Sequence, residues 1–139
     1  MLILIAINTI IFLFLSGLHV YWAFGGTWGF AAAMPTTPDG ESTIDAGKLA
    51  TLIVAFGLLL FALVTWGNSG YFNQMVSMKL IHIGSIIIGA IFLIRAIGDF
   101  RYVGFFKKMK GTLFATQDTR IYSPLCLCIA IMEFCMVLI

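Results

Sequence analysis

Apolar runs of about twenty residues, repeated along one short chain, leave very few ways to fold. The first extends from Leu2 to Phe24 and is broken only by Asn8, Thr9, Ser16 and His19. Two more cover about 48–66 and 77–98, and a fourth begins at Ser123-Pro124 and runs to Ile139. In hydrocarbon every backbone N–H and C=O must be paired inside the protein, and a helix does this within one segment. Composition supports this reading: hydrophobic residues make up 61% of the 139 and charged ones 10%, against roughly 25% charged in a soluble domain. The expectation is an all-α fold, a four-helix transmembrane bundle forming a single membrane domain over 1–139. No Lys or Arg precedes the first run, and Ala31-Ala32-Ala33 lies past the usual cleavage window, so that run reads as a retained span.

The connections differ in kind. Loop one, from Gly25 to Gly47, is long and rich in Gly, Pro and Thr, with Asp39, Glu41 and Asp45. Long loops of this sort often carry function. The turn from Gly67 to Val76 is short and polar, flanked by Trp66 and Tyr71 as interfacial anchors. Loop three, from Asp99 to Ser123, is basic and amphipathic: Arg101, Lys107, Lys108, Lys110 and Arg120 alternate with Phe105, Phe106, Leu113 and Phe114. Part of it is expected to lie on the membrane surface. Ser123-Pro124 reads as the capped start of the fourth helix, which makes that span short. Loops one and three fall on one side, which collects most of the basic residues. The positive-inside rule therefore predicts a cell (inner or plasma) membrane protein with both loops cytoplasmic and both termini outside.

Polar groups inside a membrane are costly, and here they form two sets. The first is at the loop-one and loop-three end: His19 and Trp22 at the exit of segment one, Arg95 and Asp99 at the exit of segment three, and Asp118, Arg120 and Tyr122 ahead of segment four. Arg95 and Asp99 are four residues apart and would share a helix face. A histidine, two carboxylates and several arginines could bind an anionic head or transfer a proton. An ion-pair network that fixes the loops accounts for the same residues. The second set, in the other leaflet, is Asn8, His82 and Glu133, brought to similar depth by the helical rise. Glu133 is the costliest residue in the chain. It reads either as a carrier of protons or a cation, or as a register-setting hydrogen-bond partner of Asn8 or His82.

Several functions are disfavoured. His19 and His82 sit near opposite faces, so they cannot share a metal or haem, and no metal site or cofactor is expected. Cys126, Cys128 and Cys135 all lie in segment four at spacings that cannot bridge, which counts against a disulfide-exchanging enzyme. No P-loop or dinucleotide motif occurs, and the small net charge of +2 gives no reason to expect a nucleic-acid partner. Gly84, Ser85, Gly89 and Ala90 of segment three suit close helix contact.

The pattern His19-x-x-Trp22, Gly25-Gly26, Trp28, Pro35 and Pro38, with Arg95, Asp99, Arg101, Gly104, Phe114-Ala115, Asp118 and Tyr122-Ser123-Pro124-Leu125, resembles a family of small bacterial four-span membrane proteins of unknown function. The resemblance covers nearly the whole chain. It implies the architecture, and it places weight on the first polar set.

Three readings follow. In the first, a pocket at the cytoplasmic face binds or acts on a lipid or other amphiphile: Arg95, Arg101 and Arg120 face its head, Trp22, Trp28 and Tyr122 line it, and His19, with Asp99 and Asp118, supplies any acid–base chemistry. In the second, the chain is an accessory or assembly subunit of a larger membrane complex, docked through Lys107, Lys108 and Lys110. In the third, it is a small homo-oligomeric transporter that uses Glu133.

Overall fold

The structure is a computed structural model and describes residues 1–37, 39–41 and 47–139. Pro38 and Asp45 lie outside the described residues. In chain order the helices are α1 (Leu2–Ala23), α2 (Phe30–Ala33), α3 (Lys48–Gly67), α4 (Met78–Ile97), α5 (Leu113–Gln117) and α6 (Ser123–Leu138). Four helical stretches are long and apolar enough to cross a membrane, with 22, 20, 20 and 26 residues. At ~1.5 Å per residue each spans about 30 Å or more. The chain is thus built as a small four-span integral membrane protein, with α1 packed along α3 and α4 packed along α6.

The fourth stretch departs from expectation. It starts at Leu113, since α5, a π-helical turn (Asp118–Tyr122) and α6 run on without a break. Ser123 is therefore inside the helix, and its hydroxyl caps nothing. The cap is Thr112, whose side chain accepts from the Ala115 N–H at 3.0 Å. A proline inside a helix lacks one N–H and crowds the preceding turn. The wider π turn directly ahead of Pro124 loosens the ladder where that donor is missing.

The core is apolar and closely stacked. Phe12 of α1, Phe61 of α3 and Phe92 of α4 meet edge-on or tilted, with centroids 5.4–6.2 Å apart. Ile88, Ile129 and Ala130 fill in beside them. Gly89 lets α4 approach α6, where an added Cβ would fall 2.8 Å from the Phe134 ring. Leu, Ile and Phe on the outer faces remain exposed, as a lipid-facing surface requires.

Loop three carries no regular helix ahead of α5. From Gly98 to Thr112 it is irregular and folds back over the end of the bundle. Gly98 (φ 91°) and Gly104 (φ 89°) cross so closely that a Cβ on either would overlap the other's backbone. The Phe105 N–H closes the crossing by donating to the Ala96 carbonyl at 2.9 Å. The first loop returns to the same end, where α2 packs against α5.

Gly98→Ala combines a left-handed φ with a backbone clash. It is expected to destabilise the protein by roughly 2–4 kcal/mol, read from the loss of helicity on titration with a denaturing detergent. Gly57→Ala, where a Cβ meets nothing within 4 Å, should have little effect.

Candidate functional site

Asp118 organises the loop-rich end. The helical register of the α5–α6 stretch turns it inward, and it is fully buried. Its Oδ1 accepts from Arg95 Nη2 at 2.9 Å, and its Oδ2 accepts from the Gly104 N–H at 2.8 Å and from Lys107 Nζ at 3.0 Å. Lys107 is itself buried. Its ammonium spends its remaining protons on the Gly104 carbonyl (2.9 Å) and the Thr119 hydroxyl (2.7 Å). Two cations on one carboxylate leave this centre with a net charge of +1. Arg95 carries the surplus: its side chain is 33% exposed, and its Nη1 is buried with no hydrogen-bond partner.

Asp99 is not paired with Arg95. α4 ends at Ile97, and Gly98 turns the chain away before Asp99 can share a face with Arg95. Asp99 Oδ1 instead gathers the N–H groups of Arg101, Tyr102 and Val103 at 2.7–2.9 Å. Slight burial raises its pKa, but the three donors outweigh this and hold the carboxyl below its ordinary value. Both carboxylates of the sequence-derived set are thus engaged in holding loop three.

His19, Trp22 and Trp28 form a second cluster at the same end of the bundle, where α2 packs on α5. The His19 ring stands edge-on to Trp22 at 5.1 Å. Its Nδ1 lies 2.8 Å from the Leu15 carbonyl, to which it donates. Trp22 donates its indole N–H to the Trp28 carbonyl at 2.8 Å and meets Phe30 edge-on. The Trp28 indole is exposed. Arg101 lies over the Tyr102 ring, Arg120 is exposed, and Tyr122 stacks tilted on Phe114.

Lys107 was the residue sequence reasoning misplaced. Three lysines within four positions give no signal as to which points inward. Its burial also removes it from any docking surface, which leaves only Lys108 and Lys110 exposed for that role.

The second set is real but differently composed. Glu133 Oε1 accepts from Asn8 Nδ2 at 2.8 Å and from the Thr65 hydroxyl at 2.5 Å. Ser85 flanks the carboxyl, although no hydrogen bond of ordinary geometry reaches Oε2. Asn68 donates to Ser85 Oγ at 2.8 Å. Asn8, Thr65, Ser85 and Glu133 are fully buried and come from four different helices. His82 is half-buried and makes no hydrogen bond among the described residues. Thr65 lies two residues before the end of α3, and Ser85 about two turns into α4. Their small size disguised them as packing residues.

Residues 12–133 match the family model described as a protein of unknown function (DUF3995). The chain belongs to this family. The match takes in His19, Trp22, Arg95, Asp99, Asp118 and Glu133, while Asn8 lies ahead of it. No curated protein and no solved structure matches the chain.

Removing the Asp118 charge strands two cations, one of them buried. Asp118→Asn is expected to cost about 3–5 kcal/mol in denaturing-detergent titrations, and adding Lys107→Met should recover part of the loss. For Asp99 the folded pKa is depressed. Its stabilisation is therefore full above the unfolded pKa and is lost as pH falls through the folded value. Hydrogen-exchange protection at Arg101, Tyr102 and Val103 should hold at neutral pH and fall off below about pH 4. A profile flat in pH would show that Asp99 does not hold these amides.

Proposed function

We propose that this membrane protein is a binding module for an amphiphile with an anionic head, held at the basic end of the bundle. Under the positive-inside rule this end is cytoplasmic. The observation that carries the reading is the unmatched cation. Arg95 is tied to Asp118 through Nη2 yet keeps its buried Nη1 without an acceptor, and the centre around it is net positive. A phosphate or carboxylate head would supply both the acceptor and the charge.

The surroundings suit an amphiphile better than a free anion. Phe100, Phe105 and Phe106 are exposed beside Arg101, Lys108 and Lys110, and Trp28 and Phe24 are exposed on loop one. Exposed rings and cations together match the headgroup region of a bilayer. The His19 Nε2 beside Trp22 would hydrogen-bond a polar group on the head. Binding is favoured over catalysis because Asp118 is buried with both oxygens paired and Asp99 gives one oxygen to three loop-three N–H groups.

The test is native mass spectrometry of the chain released from mild detergent into mixed phosphatidylglycerol and phosphatidylcholine. The wild type should retain the anionic lipid preferentially. Arg95→Gln should weaken that retention about tenfold, the worth of one charge-assisted hydrogen bond. Equal retention of both lipids, or an Arg95→Gln variant that retains as much as the wild type, would overturn the proposal.

A further inference from the structure

The Glu133 centre at the opposite end has an imbalance that packing does not explain. Its donors are few: the Ser85 hydroxyl proton, beside the carboxyl, is the one not spent on another group. Asn8 Nδ2 and the Thr65 hydroxyl both go to Glu133 Oε1, and Asn68 Nδ2 goes to Ser85 Oγ and to the Thr65 and Val64 carbonyls. Three buried acceptors are left without a donor: Glu133 Oε2, Asn8 Oδ1 and Asn68 Oδ1. Two of these are geminal to the atoms of the Asn8–Glu133 hydrogen bond, so they lie within one amide or carboxylate width of it. Flipping the Asn8 amide would set an oxygen against the carboxylate, so the hydrogen bond itself fixes the orientation.

An excess of acceptors around a carboxylate is met either by a proton on the carboxyl or by a bound cation. None of the centre's own side chains is cationic, and Lys79 is exposed at the helix start. We propose that this centre is a binding site for a hard monovalent cation of the sodium or lithium class. Glu133 Oε2, Asn8 Oδ1 and Ser85 Oγ would be its ligands, with Asn68 Oδ1 behind them. The ligands are all oxygen, which suits hard cations and not zinc or copper. A single carboxylate neutralises one positive charge, whereas a divalent ion would leave an excess charge buried in hydrocarbon. Each helix of the bundle contributes or flanks a ligand, so an ion here would couple the positions of all four.

The first experiment uses the full chain in detergent at constant ionic strength and pH. Sodium or lithium chloride should raise the thermal midpoint in a saturable way relative to N-methylglucamine chloride, following mass action. Glu133→Gln should lose that ion-specific rise. Should this variant fail to fold, the wild type alone decides through carbodiimide labelling of Glu133. Sodium occupying the site should slow labelling by the factor 1 + [Na+]/Kd. A midpoint indifferent to the choice of cation would overturn the proposal. So would labelling that responds to pH but not to sodium, which would instead mark a proton site.

Discussion

In lipid a helix gains nothing by trading a tail contact for a leucine contact, so the hydrophobic effect does not hold this bundle together. Close packing and polar ties must do so instead. The ties sit at opposite ends. Near the polar turn, Glu133 draws α1 and α3 to α6, while Ser85 brings α4 against the same carboxyl. At the basic end, Asp118 draws α4 and loop three to the α5–α6 stretch. Between them lies the aromatic stack of Phe12, Phe61 and Phe92, which supplies shape rather than direction. Dispersion alone would let the helices slide, and the two carboxylates fix their register.

The spans were legible because membrane thickness and helical rise leave little freedom in the length of an apolar run. The co-siding of loops one and three followed from counting crossings, and the packing of α2 on α5 bears it out. Pairings within the polar sets were harder. The four-residue spacing of Arg95 and Asp99 implied a shared face only if the helix continued. One glycine at φ 91° ends it first, and the two residues part to different partners. The same kind of local decision hid the start of the fourth helix. Ser-Pro reads as a beginning, but a π turn can carry a helix through a proline. Sequence spacing reports faces reliably inside an element and not across its end.

Lys107 and Thr65 illustrate a different limit. Each becomes functional or structural only through a long-range partner, Asp118 in one case and Glu133 in the other. Nothing local separates Lys107 from Lys108, or Thr65 from any helical threonine that bonds its own backbone. Ser16 shows the contrast, spending its hydroxyl on the Ala55 carbonyl of the neighbouring helix at 2.7 Å and so serving packing alone.

The two carboxylate centres also differ in what they leave undone, and that difference separates a clamp from a site. Asp118 is fully satisfied: both oxygens are paired, its charge is overcompensated, and the remaining capacity lies on Arg95 at the edge. Glu133 is satisfied on one oxygen only, with orphaned acceptors beside it. On the two proposals made above, the surplus donor at Arg95 takes an anion and the surplus acceptors at Glu133 take a cation. The bundle therefore presents opposite electrostatic demands at its two ends, joined by helices that both centres fix in register. Any ligand that shifts one centre acts on the same helices that build the other.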